Sequence, residues 1–289
     1  MPGRGTPPKR ANPTRPGAWK NRAMNSPSTA PPRLRLPVAT GVLIALNVGL
    51  WLLQVANGVS PAHPSSLTLL AWGGDMPVYT LTGDTWRLLT AMFLHGGIVH
   101  LALNMYVLAF TAPQVEYEFG TTRMLAIYLG GGLLASCASV FWGEMRSTPQ
   151  NPIGLLTVGV GASGAVMALF GSLLAGLVLP TPRFAHLPRH LQPGIHKGLI
   201  QAVVINVGMG FVIPNVDNAA HVGGLLGGMA LGIVMAVSPA AVEARDTFAR
   251  FVAAAGLVAV CVGTLLHGGH RAELLQLRAE MDARNASQR

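Results

Sequence analysis

The sequence predicts an all-α polytopic membrane protein, on the strength of three observations. Half of the 289 residues are hydrophobic (51%) and only 11% are charged, against roughly 25% charged residues in an ordinary soluble domain. Uncharged apolar runs of about 16–20 residues recur along most of the chain, near the length needed to cross a hydrocarbon core of ~30 Å. Glycine is abundant, at 35 residues, as suits membrane helices that approach closely through small side chains.

Residues 1–35 combine many prolines with Arg4, Lys9, Arg10, Arg15, Lys20, Arg22, Arg33 and Arg35 and contain no acid, so they read as a disordered basic tail on the cytoplasmic, anionic leaflet. The first span is Pro37–Ala56, too long for the apolar region of a signal peptide. Further spans are predicted at Gly96–Ala112, Met124–Trp142, Ser163–Leu179, Gly198–Ile213, Asn218–Val237 and Phe251–Leu266. The shorter ones are expected of helices that begin below the bilayer surface in a polar cavity. Between the first two spans, the loop 57–94 carries Trp72, Tyr79 and Trp86, residue types that favour the membrane interface. The C-terminal tail 271–289 contains LLQLRAEMDAR, a pattern compatible with a short amphipathic helix.

The formal charge of +9 is distributed as a topology signal rather than as a nucleic-acid footprint. Arg123, then Arg183, Arg189 and Lys197, then Arg245 and Arg250 fall in alternate loops with the N-terminal tail, whereas the opposite loops hold Arg87 and Arg146. This bias places the N-terminus inside and, with seven spans, the C-terminus outside. Cys137 and Cys261 sit in apolar runs and read as small hydrophobes, not as a disulfide framework or a metal site.

Three polar clusters interrupt the apolar spans, where polar side chains are costly and functional by default. In HGGIVHLALN, residues 95–104, His100 and Asn104 lie four apart on one helical face and can offer donors to a single oxygen, whereas His95 faces elsewhere. Taken alone, the pair could equally tie two helices together. In GVGASGAVMALFG, residues 159–171, Ser163 stands among glycines at the start of a helix, with free backbone N–H groups and a positive dipole end beside its hydroxyl. By itself this G-x-S-G is weak, because Gly and Ser are common at membrane helix interfaces. In VDNAAHVGGLLGG, residues 216–228, His221 shares a face with Gly224 and Gly228, while Gly164, Ala168 and Gly171 form a matching strip after Ser163. Two such strips can bring the Ser163 hydroxyl within reach of the His221 ring. Asp217 reads as the N-cap of the His221 helix rather than as the third member of a triad. Together the clusters supply a nucleophile, a base and oxyanion donors, the roles acyl transfer requires.

Trp86-Arg87, the H-x₄-H-x₃-N of His95, His100 and Asn104, Glu116 and Gly120, G-A-S-G, and A-H-x-G-G with Gly228 occur in the order found in the rhomboid family of intramembrane serine proteases, which this chain resembles from about Trp86 to Gly228. The resemblance implies a six-helix catalytic core, here residues 36–240, followed by one extra transmembrane helix within 241–270. It implies Ser163 and His221 as a catalytic dyad. His100, Asn104 and the Ser163 backbone N–H would stabilise the oxyanion, and Trp86, Arg87 and Glu116 would be structural. It further implies single-span membrane proteins as substrates, cut within the lipid bilayer near its outer face, and no metal or organic cofactor. Met167 departs from the pattern, standing where the family commonly has an aromatic residue against the catalytic histidine.

A catalytically inactive, membrane-protein-binding relative is the nearest alternative, and retention of Ser163, His221, His100 and Asn104 argues against it. A transporter would more often show repeated halves or intramembrane charges. No H-E-x-x-H and no G-x-G-D occurs, so zinc and aspartyl chemistries find no motif. The prolines of the basic tail weaken a transit-peptide reading and favour a bacterial plasma membrane.

Overall fold

The computed structural model describes residues 37–178, 192–213, 216–236, 244–266 and 271–287. The basic tail and the loop cations Arg183 and Arg189 lie outside the described residues. Among the described residues the regular elements are helices: α1 (Val38–Ala56), α2 (Ser66–Ala71), α3 (Pro77–Leu81), α4 (Arg87–Thr90) followed by a 3-10 turn (Ala91–Phe93), α5 (Ile98–Phe119), α6 (Thr121–Met145), α7 (Ser163–Val178), α8 (Gln192–Val212), α9 (Asn218–Met235), α10 (Ala244–Leu266) and α11 (Arg271–Ser287). Helices α1, α5, α6, α9 and the Phe248–Leu265 stretch of α10 are long and apolar enough to cross a membrane; α7 and α8 contribute shorter apolar stretches. The protein is an integral multi-pass membrane protein.

Several helices outrun their predicted spans. Helix α8 begins at Gln192 and α10 at Ala244, because the polar and charged residues preceding Gly198 and Phe251 end the hydrophobic stretch without ending the backbone hydrogen bonding. Helix α5 continues through Pro113 to Phe119. A proline removes one N–H, which a buried membrane helix tolerates, and the stop comes at Gly120, whose φ of 84° lies in the left-handed region that favours glycine.

Glu116 closes one end of the bundle. Pro37 offers α1 no side-chain cap, and the Glu116 carboxylate supplies it from α5, accepting from the amides of Ala39 (3.4 Å) and Thr40 (3.3 Å) and from the Thr40 hydroxyl (3.1 Å). It also accepts from Thr121 Oγ1 at the start of α6 (2.9 Å), so one acid meets the orphan donors and positive end of α1 and ties three helices. Arg250, a loop cation by sequence, does the converse at the end of α9, donating to the carbonyls of Val234 (3.0 Å) and Ala236.

Helix α7 packs against α5, α6, α8 and α9. Its contact with α9 is backbone on backbone: a Cβ at Gly224 would meet the Gly164 carbonyl, one at Gly228 the Ala168 backbone, and one at Gly171 the Leu225 carbonyl. The predicted small-residue strips therefore interlock. Gly131 on α6 fits against Ala168 in the same way. Lipid and helix are equally apolar, so it is this close van der Waals approach that holds the pair.

The substitution Gly228→Ala should force α7 and α9 apart at an overpacking cost of ~1–3 kcal/mol. Its thermal unfolding midpoint in detergent should fall, whereas Gly208→Ala on α8, with open space around the added carbon, should leave it in place. Equal midpoints for the two variants would contradict the interlocked contact.

Candidate active site

The site forms where α7 starts. Helix α7 begins at Ser163, which sets the unpaired amides of its first turn beside the serine hydroxyl. Val166 is the first α7 amide with a helical partner, the Ala162 carbonyl at 2.9 Å, leaving the N–H groups of Ser163, Gly164 and Ala165 directed out of the helix end. Ser163 is half-buried and lines one open cavity together with His100, Asn104 and His221. That cavity, about 2330 Å³, exceeds the ~300–1,000 Å³ typical of small-molecule sites.

The segment leading to Ser163 has no helix or sheet of its own and hangs on the first loop. Val78 N–H donates to the Leu155 carbonyl (3.1 Å), Asp75 and Gly159 exchange both backbone hydrogen bonds (3.0 and 2.7 Å), and Gly161 N–H donates to the Ala91 carbonyl (2.9 Å). The loop is in turn held by Arg87, whose Nη1 donates to the carbonyls of Leu70 (2.7 Å) and Gly74 (3.0 Å) and whose Nε pairs with Asp84 (3.1 Å). The expected structural roles of Arg87 and Glu116 thus take concrete form, and the neighbouring Trp86 ring lies 4.5 Å from the Arg87 guanidinium.

His100 is oriented by its own turn. Its Nδ1 accepts from the Gly96 amide (3.2 Å), which puts the ring proton on Nε2. That nitrogen points at Gly161, where an added Cβ would lie 2.9 Å from it. Gly161, with φ 128°, must be glycine both for its backbone and for this approach. Asn104 gives one N–H to the His100 carbonyl (2.9 Å) and keeps a second. The start of α5 that carries both residues is fixed by the first loop, through Ile98 N–H to the Pro61 carbonyl (2.8 Å).

His221 lies one turn into α9, buried, beside the Asn206 backbone and near enough to His100 to interact electrostatically. Its Nδ1 has no partner, and among the described residues no hydrogen bond joins its ring to Ser163. Such bonds are often long before substrate arrives. Asp217 caps α9, accepting from the Ala220 amide (3.0 Å) with one oxygen and from Ser139 with the other; neither oxygen bonds the His221 ring. His95, expected on another face of the His100 helix, precedes the helix altogether and packs edge-on against the His100 ring, centroids 5.3 Å apart. Met167 is buried in the core.

Sequence reasoning missed Asp75 and Ser139. Asp75 is buried (5% exposed) and accepts from Thr80 Oγ1, and its only signal was an acid after two glycines. Burial pushes its carboxyl up to about 7. Ser139 sits unremarked in α6, 78 residues from the Asp217 it meets.

The family model for the rhomboid domain matches residues 82–238. Rhomboid protease GluP of Bacillus subtilis (strain 168) is 32% identical over 234 residues, covering 81% of this chain and 41% of that protein. RHOMBOID-like protein 4 of Arabidopsis thaliana is 37% identical over 177 residues, 61% of this chain and 41% of its own length. Rhomboid protease AarA of Providencia stuartii is 29% identical over 207 residues, 69% of this chain and 73% of that protein. The chain spans about two-fifths of the Bacillus and Arabidopsis relatives.

Because the Asp75 carboxyl holds a proton in the folded state up to about pH 7 but from only 3.8 as its ordinary value, the folded state binds the extra proton between those limits. Its contribution to stability is present below 3.8 and declines as pH rises to about 7. The variant Asp75→Asn should therefore unfold at a higher temperature than the parent at pH 8 and lose that advantage towards pH 4. Parallel melting curves for the two proteins across this range would rule out Asp75 as the titrating group.

Proposed function

Since the chain belongs to the rhomboid family, we propose that it is an intramembrane serine endopeptidase working through a Ser163–His221 dyad. The observation that carries this reading is the start of α7. There a serine with free helix-terminal amides, the proton-bearing Nε2 of His100 and the facing His221 line one cavity in a bundle of apolar helices.

In this reading, the Ser163 hydroxyl attacks a substrate peptide carbonyl as His221 takes its proton. The oxyanion that forms accepts from His100 Nε2–H, from the spare N–H of Asn104 and from the Ser163 amide, donors held in place before the reaction begins. His221 then gives the proton to the leaving amine, and water in the cavity hydrolyses the acyl-enzyme, with His221 again as base. These residues complete the cycle without a cofactor. Substrates are single-span membrane proteins, cut from within the bilayer at the outer face. The catalytic core is α1 with α5–α9, α10 is a seventh span, and the N-terminus is cytoplasmic in a bacterial plasma membrane. Convergence of Ser163, His221, His100 and Asn104 on one cavity favours hydrolysis over a merely binding relative.

A fluorophosphonate probe should label the detergent-purified protein, and Ser163→Ala and His221→Ala should abolish labelling while remaining folded. His100→Ala and Asn104→Ala should each lower the labelling rate by ~10²–10³-fold, as expected for loss of an oxyanion donor. Undiminished labelling of Ser163→Ala would refute the assignment of the nucleophile.

A further inference from the structure

Helix α11 does not trail free after the last apolar helix but lies against α3 in the first loop. Leu274, Arg278 and Asp282 are spaced four apart and share a face. Leu274 is buried in a cluster with Leu81 and Leu88 of the loop and Val140 of α6, and Leu277 packs against a second cluster of Leu70, Met76, Val78 and Tyr79. Asp282 accepts from the Tyr79 hydroxyl (2.6 Å). The Arg278 guanidinium lies over the Tyr79 ring, 4.9 Å from its centre. It donates to Thr82 Oγ1 (3.0 Å) and pairs with Asp84 Oδ1 (3.0 Å).

Asp84 is the junction. Its second oxygen holds Arg87 at 3.1 Å, so one carboxylate is shared by a residue of α11 and by the residue that fixes the loop carbonyls of Leu70 and Gly74. Asp75 follows Gly74 directly and carries the paired backbone bonds to Gly159, and Ala91, just after α4, holds Gly161. Both glycines lie within four residues of Ser163. A fork-shaped guanidinium bound to a partly buried carboxylate, a hydroxyl and an aromatic face is a geometrically demanding contact, and side-chain relative exposures of 26% for Arg278 and 21% for Asp84 keep it from full solvent screening.

We propose that α11 is a clamp on the first loop, and that Arg278 is a positioning residue which, through Asp84, Arg87 and the Asp75–Gly159 pair, holds the segment 155–161 that delivers Ser163 to the cavity. The clamp itself stands on contacts alone; its effect on reactivity rests on the serine-protease reading given above.

The whole 289-residue chain in detergent separates the two. In amide hydrogen exchange, Arg278→Ala should speed exchange of residues 157–161 by roughly tenfold or more while α6 stays as protected as in the parent, as expected when one local contact rather than the whole fold is loosened. Arg278→Lys should restore part of the protection, and Leu275→Ala, a change on the exposed side of α11, should change nothing. The fluorophosphonate labelling rate of Arg278→Ala, measured well below its unfolding temperature, should fall severalfold. Unchanged exchange in Arg278→Ala would overturn the clamp. Faster exchange with an unchanged labelling rate would overturn the positioning role of Arg278. If the folded parent itself does not label, the serine reading fails, and the exchange measurement alone still decides whether α11 holds the loop.

Discussion

The close approach of α7 and α9 is the constraint on which the site depends. Within lipid there is little gain from hiding apolar side chains against one another, and two helices stay together because their backbones touch. Here small residues let backbone meet backbone: Gly164 against Gly224, Ala168 against Gly228, Gly171 against the Leu225 carbonyl. Ser163 precedes the first of these contacts by one residue, and His221 precedes Gly224 by one turn. The strips that join the helices therefore also set the distance between the two residues on which the proposed chemistry turns.

The second support is irregular. Residues 155–161 have no helix or strand of their own to satisfy their backbone groups, and Leu155, Gly159 and Gly161 find backbone partners in a loop some eighty residues earlier. That loop has its own apolar core of Leu70, Met76, Val78 and Tyr79, and a buried arginine ties the Leu70 and Gly74 carbonyls together. It serves as a scaffold for the serine more than as a connection between two spans.

Much of this was legible in the sequence, and what was not has a common cause. Apolar length located the membrane helices, and spacing on a helix identified the His100–Asn104 face, the two small-residue strips and the Asp217 cap, because each is a property of neighbours along one element. Hydropathy misplaced the ends of α5, α8 and α10, since it measures immersion in lipid and helices continue beyond it. The 57–94 segment read as interfacial from its aromatics, yet its short helices depend on contacts with Arg87 and with residues 155–161. Asp75, Ser139 and the docking of Arg278 were invisible for the same reason: each is defined by a partner far away in the chain, and an isolated Asp, Ser or Arg carries no local mark of it. His95 was assigned to a helix that in fact starts three residues later, after Gly97, whose φ of 112° sets the turn.

The docking of α11 on the first loop also bears on how the chain enters the membrane. The loop follows the first span and α11 follows the last, so the two can meet on one side only if the number of crossings between them is even. A chain in which one weakly apolar helix, such as α8, stayed out of the bilayer would deliver Arg278 to the opposite side from Asp84 and Tyr79. The contact of Arg278 with Asp84 and Tyr79 thus joins the first loop to the last helix, and it records in one place whether the crossings that lie between them are even in number.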